Sequence, residues 1–352
     1  MAVQDIAYVE LYTRDKVSTV DYFESAMGFT RVADRVTPDR SSVLLRQGGV
    51  QLVVSSGRGM WRFLDEHGDG IADIALVCDD VVATRDAAVE AGAEPVGSDE
   101  RWPVVSGFGE VCHTLLSPAA AAGLPAGFRW HGAPAGSGTA GGSGTAAGSG
   151  TAGAGGVVRA LDHIAVCLEG GALDRYADFY RDAFGLERFS SEYVAVGGQA
   201  MDSVVVSSGS GRVVFTLVAP DPAREPGQLD AFLARNGGPG VQHLAFLVDD
   251  IVPAVRDFRE RGVEFLATPG TYYEMLGDRF PEMGQEIAEL REAQVLADRD
   301  EWGYLLQLFS RSPYERNTLF FELIQRRGSR GFGSSNIRAL YEAVERDRLA
   351  AQ

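Results

Sequence analysis

The sequence is poor in cysteine, in positive charge and in long apolar runs. Its three cysteines, Cys78, Cys112 and Cys167, are scattered over 352 residues. They are too few for a disulfide framework, and no pair has metal-knuckle spacing. Cys78 and Cys167 sit in apolar runs and read as small buried hydrophobes, which fits a reducing, cytoplasmic setting. No run of about 18 apolar residues occurs, so no helical membrane span is expected. The first residues hold Asp5 and no basic segment ahead of an apolar one, so no signal peptide is expected either. Basic residues number 32 against 49 acidic, a net charge of −17. Such a chain repels phosphate backbones, which argues against a nucleic-acid partner.

What is present is the composition of a folded protein, 45% hydrophobic and 23% charged. One boundary is plain. From Gly132 to Gly156 the chain holds only Gly, Ala, Ser, Thr and Pro, and such a segment cannot bury enough surface to offset its ordering entropy. The expected organisation is an N-terminal domain over 1–131, a flexible linker over 132–156 and a C-terminal domain over 157–352.

Both halves contain the same unit twice. The stretch from Asp5 to Val32 parallels that from Leu161 to Phe189: a short apolar strand, a helix with paired aromatics, then a turn and a second strand. The stretch from Ile71 to Val96 parallels that from Val241 to Leu266. Each of these runs from a strand ending in Asp-Asp into an amphipathic helix closed by Gly92 or Gly262. Alternating runs follow each unit, at Ser42–Arg46, Val50–Ser55, Val104–Val105 and Val111–Leu116, then at Val204–Ser207, Arg212–Val218, Leu305–Phe309 and Leu319–Ile324. The pattern predicts an α+β chain of four βαβββ modules, paired two and two into open barrel-like cups.

The repeat points to a metal. His163 and His243 occupy the same position in the first strands of their modules, and pairing of modules brings those strands together. Glu322 stands alone among apolar residues in a last strand, where a carboxylate is expensive to bury unless paired or metal-bound. The overlay places Thr216 at the fourth equivalent position. Two imidazoles and one carboxylate on one face form the facial triad of non-haem Fe(II) oxygenases, although zinc binds such ligands too. The equivalent positions of the first half are Tyr8, Asp73, Val53 and Thr114. That set is a poor metal site, so the first domain is expected to be structural or to serve in a homo-oligomer. His67 and His113 read as structural.

The segments HGDGIADIAL (67–76), LDHIAVCL (161–168), GVQHLAFLVDDI (240–251) and FFELIQRRGSRGFGSSNIRALYEAVE (320–345) resemble the 4-hydroxyphenylpyruvate dioxygenase and 4-hydroxymandelate synthase family of the vicinal-oxygen-chelate superfamily. The resemblance implies Fe(II) as cofactor, and 4-hydroxyphenylpyruvate and O2 as substrates. It also implies catalytic or substrate-contacting roles for Ser203, Val205, Thr216, Gln307, Phe321, Phe332, Asn336 and Ile337, and a C-terminal lid helix from about 334 to 346. The dioxygenase carries Pro-Leu-Asn where this chain has Thr216-Leu217-Val218, and Gly-Asn-Phe where it has Ser335-Asn336-Ile337. Both departures agree with the synthase pattern. The expected reaction is oxidative decarboxylation with benzylic hydroxylation to 4-hydroxymandelate, within antibiotic building-block synthesis. The alternatives are homogentisate formation, a non-catalytic binding module of the same fold, and a ring-cleaving dioxygenase.

Overall fold

The computed structural model describes residues 3–97, 102–131, 156–333, 335, 336 and 338. Most of the segment 132–156, expected as a linker, lies outside them. Two eight-stranded sheets are present. The first is built from β1 (Val3–Tyr12), β2 (Thr30–Val36), β3 (Ser41–Gln47), β4 (Val50–Ser56), β5 (Gly70–Cys78), β6 (Val104–Ser106), β7 (Cys112–Leu116) and β8 (Arg129–Trp130), in the order β6-β7-β5-β1-β4-β3-β2-β8. The second contains β9 (Val158–Cys167), β10 (Glu187–Val196), β11 (Gln199–Ser207), β12 (Val214–Pro220), β13 (Gly240–Val248), β14 (Leu296–Arg299), β15 (Tyr304–Phe309) and β16 (Phe320–Arg327). Its order, β10-β11-β12-β9-β13-β16-β15-β14, repeats seven strands of the first sheet, with β8 and β14 added at opposite edges.

At the centre of each sheet the first strands of two modules run antiparallel, β1 against β5 and β9 against β13. Each is flanked by a parallel strand of its own module, β4 and β7 or β12 and β16. The helices Val81–Glu90 and Ile251–Glu260 end before Gly92 and Gly262, at φ +104° and +94°. Those left-handed conformations are why glycine stands there. The expected strands are all present with slightly different ends. The helices Gly270–Arg279 and Glu286–Ala293, inserted ahead of β14, have no counterpart in the repeat and were not foreseen.

Helices fill the space between the sheets, and one continuous core joins the two halves. Phe321 of β16 stacks on Phe246 of β13 and meets Tyr22 and Phe23 of the first half. Replacing Phe321 by alanine should therefore lower stability by about 3–5 kcal/mol, read as a fall in the denaturation midpoint. His113 of β7 performs a similar joining role with polar atoms. Its Nδ1 donates to the Ile74 carbonyl oxygen at 3.2 Å, and its Nε2 accepts from the Tyr180 hydroxyl at 2.9 Å. Burial pushes this imidazole down to about 4, against about 6.5 in the unfolded chain. Between those values the unfolded state takes a proton that the folded state refuses, so stability falls as pH drops from 6.5 toward 4. The loss is on the order of 3 kcal/mol. Denaturation midpoints at pH 7 and pH 4.5 should diverge less in His113→Gln than in the natural protein.

Candidate metal centre

His163 on β9, His243 on β13 and Glu322 on β16 converge from three adjacent strands. Glu322 Oε2 lies 3.3 Å from His163 Nε2 and 3.1 Å from His243 Nε2, and the two imidazole nitrogens are 3.3 Å apart. The strand register explains this. His163 and Glu322 both pair with Ala245, one from each side, and His243 stands two residues before it on the same face of β13.

Each histidine is aimed by the residue before it. The β9–β13 ladder skips Asp162 on one strand and Gln242 on the other. These are β-bulges, which turn an extra side chain out of the alternation. Asp162 Oδ1 lies 2.9 Å from His163 Nδ1, and Gln242 Oε1 lies 3.2 Å from His243 Nδ1. Both oxygens accept, so each Nδ1 holds a proton and Nε2 is the ring nitrogen left to bind at the centre. Asp162 is itself held by two bonds from Arg326, at 2.7 and 2.8 Å. The first half carries the same two bulges, at Ala7 and Ala72, where no polar atom can orient a ligand. Its Asp73 instead accepts from the Thr114 amide and hydroxyl at 2.9 and 2.8 Å. The cavity of that half is the larger, about 730 Å³, but the equivalent set there is no metal site.

The electrostatics suit a cation. Burial opposes charge on Glu322, yet the two imidazoles outweigh it and hold the carboxyl down at about 2. Burial also opposes charge on His163, and Glu322 and Asp162 override it, raising the ring to about 9. Burial pushes His243 down, with the charge on His163 acting in the same direction. The bare cluster thus holds one proton on His163 against the Glu322 carboxylate, and a divalent ion can take that proton's place. The three donors fit a metal of the non-haem iron class, with open positions toward the cup.

That cup is a cavity of about 470 Å³, lined among others by the three ligands, Thr216, Gln307 and Phe332. This volume is in the range of small-molecule sites. Gln307 Nε2 donates to Glu322 Oε1 at 2.6 Å, and its Oε1 accepts from Asn336 Nδ2 at 2.8 Å. The Thr216 hydroxyl is buried and has no partner. Phe332 meets the His163 ring edge-on at 5.2 Å. Ser203 pairs with Val218 and Val205 with Thr216 across β11–β12, on the same face of the sheet but outside the lining of the cup; the Ser203 hydroxyl donates to the Glu192 carbonyl oxygen.

Phe321 requires a correction. It points away from the cup into the core between the halves, because strand side chains alternate and Glu322 points in. The aromatic wall is Phe320, stacked on the His243 ring at 4.9 Å. Alternation alone could have found it. Asp162 and Gln242 were also missed, although a polar residue before each strand histidine, against alanines at Ala7 and Ala72, was a readable signal. Leu229 and Met201 also line the cup, with polar groups such as Glu264 and Arg311. Ile337 and most of the expected lid helix lie outside the described residues.

Residues 1–117 match the family model described as "Hydroxyphenylpyruvate dioxygenase, HPPD, N-terminal". Residues 160–308 match the model of the glyoxalase/bleomycin resistance protein/dioxygenase superfamily. A solved triple-substitution variant of 4-hydroxymandelate synthase from Streptomyces coelicolor is 48% identical. It superimposes with a TM-score of 0.86 over 99% of this chain and 100% of that one. The 4-hydroxyphenylpyruvate dioxygenase of Neurospora crassa is 33% identical over 81% of this chain and 71% of its own length. That of Coccidioides posadasii is 29% identical over 97% and 92%. Among the described residues, no helix is long and apolar enough to cross a membrane.

Proposed function

Since the chain belongs to the 4-hydroxyphenylpyruvate dioxygenase and 4-hydroxymandelate synthase family, we propose that it converts 4-hydroxyphenylpyruvate and O2 to 4-hydroxymandelate and CO2. Fe(II)-dependent oxidation of a 4-hydroxyphenylpyruvate-like substrate follows from that membership and the buried ligand set. Benzylic hydroxylation is the finer part of the reading. One observation carries the chemistry: His163, His243 and Glu322 share one point at the floor of a cup with aromatic and aliphatic walls.

Bound there, Fe(II) supplies O2 activation and oxidising power. The chain supplies position. The open side of the ligand triangle faces the cavity, so an α-keto acid enters with its carboxylate and keto oxygens toward the ligands. The unpartnered Thr216 hydroxyl is a donor for that polar end. Gln307 holds Glu322 and is held by Asn336, which fixes the carboxylate's orientation. Phe320 and Phe332 flank the two imidazoles and keep water from the reacting end. Ser203 and Val205 flank Val218 and Thr216 from β11. The catalytic unit in this reading is residues 157–352.

The product depends on which carbon of the substrate faces the metal, and a displacement of about 1 Å is enough to change it. Thr216 and Val218 both line the cup. Val218 offers the ring no polar anchor, and Thr216 adds an unpartnered hydroxyl to the same lining. This favours a pose with the benzylic carbon inward, and the Streptomyces coelicolor relative supports the same reading. The names of the curated relatives favour a second reading, homogentisate formation. The products are isomers, so proton NMR decides. A benzylic CH–OH signal is expected, and a trisubstituted ring with a CH2 would replace the first reading by the second. Ile337→Phe is expected to shift product toward homogentisate or to uncouple O2 uptake from product. An unchanged ratio and rate would remove Ile337 from the determinants.

A further inference from the structure

The two halves meet at a second cluster of ligand-type side chains, outside the cup. His67 ends the helix Trp61–His67 and is 4% exposed. Its Nδ1 lies 2.5 Å from the backbone oxygen of Asn236, at the end of the helix Gln228–Asn236 of the other half. A carbonyl oxygen only accepts, so Nδ1 is the donor and Nε2 of the neutral ring carries a lone pair. That Nε2 is buried with no hydrogen-bond partner. It faces Oε2 of Glu110 at 3.6 Å, and a carboxylate oxygen of Glu66 completes a set whose ligand atoms lie within 4.8 Å of one another.

A lone pair facing a carboxylate at that distance is repulsive unless something positive stands between them. Arg62 does not fill this role. It bonds the other oxygen of Glu110, and its own side chain is 82% exposed, where an ion pair contributes little. One imidazole and two carboxylates are a zinc-type donor set. Donors bound at about 2.0–2.2 Å in a tetrahedron stand about 3.4 Å apart, close to the separation of His67 and Glu110. Glu66 is exposed, and its ligand oxygen lies within 4.8 Å of the other two. Beside the pair lies a cavity of about 10 Å³, bounded by Thr318, whose hydroxyl is also buried without a partner. It has room for one water to complete the shell.

We propose that His67, Glu110 and Glu66 hold a zinc-type divalent cation that pins the N-terminal half to the C-terminal half. The role is structural. The helix gripped through Asn236 carries Gln228 and Leu229 in the wall of the cup, and β13, with His243, begins four residues beyond it. The cation stiffens that wall from behind without contacting substrate.

Zinc titration of the full-length protein, followed calorimetrically, tests this directly. The natural protein should take up two equivalents. Glu110→Gln should take up one, which Glu322→Gln in the same chain then removes. If Glu110→Gln does not fold, Glu66→Gln, altered on an exposed side chain, should weaken the second equivalent at least tenfold. A single equivalent in the natural protein would overturn the site. So would two equivalents of unchanged affinity in folded Glu110→Gln or Glu66→Gln.

Discussion

Glu322→Gln should reduce Fe(II)-dependent O2 consumption with 4-hydroxyphenylpyruvate to the uncatalysed background. The substitution keeps the shape of the side chain and a carbonyl oxygen that can accept from Gln307. What it removes is the negative charge at the centre of the triangle. An amide placed among His163, His243 and Gln307 is a far weaker ligand for a divalent ion, so iron affinity should fall by more than the ~10–100-fold typical of losing an outer-shell partner. Iron content after desalting and an oxygen electrode read the two effects separately. Full O2 uptake in a variant that binds iron normally would remove the triad from the chemistry. A natural protein with no Fe(II)-dependent O2 uptake would instead revive the binding-module reading, which needs no ligand carboxylate.

The second large effect is expected one residue outside the triad. Asp162→Asn removes the charge that holds His163 Nδ1 and leaves the half-buried Arg326 guanidinium without its carboxylate. Losing one partner of a buried pair destabilises by about 3–5 kcal/mol, and losing the histidine's orienting group should weaken iron binding ~10–100-fold. Burial opposes the charge on Asp162, but Arg326 and His163 keep its carboxyl well below the usual range, so the pair persists throughout the neutral region. Arg326 also bonds the carbonyl oxygens of Ser329 and Gly331 and lies over the Phe332 ring. Asp162→Asn should therefore disturb substrate binding as well as iron. An unchanged iron affinity would show that β9 alone fixes His163.

The four-module pattern was readable because β-strands and amphipathic helices impose periods of two and about 3.6 on the residues that face a core. A duplicated unit displays them twice. The same duplication made His163 and His243 conspicuous, and it singled out Glu322 as a carboxylate in an apolar strand. Phe321 misled because adjacency in sequence was read as adjacency in space, whereas neighbours on a strand face opposite ways. Asp162 and Gln242 escaped for the converse reason. Each precedes its histidine and ought to face away, but a bulge turns both toward the ring they orient. The zinc-type cluster was invisible because Glu66, His67 and Glu110 approach one another only once the helix Trp61–His67 has packed beside the strand hairpin and met Asn236.

Sequence alone determined the number of modules, the strands and helices within them, and the types of side chain available to a metal. These depend on local periodicity and on composition, which are properties of the chain itself. Only the tertiary structure decided which side of each strand faces the cup, which proton each histidine keeps, and where the two halves touch. Those are set by ladder register and bulges, by contacts between residues far apart in the chain. A shift of one residue in register would point a ligand into the core and a core residue at the metal.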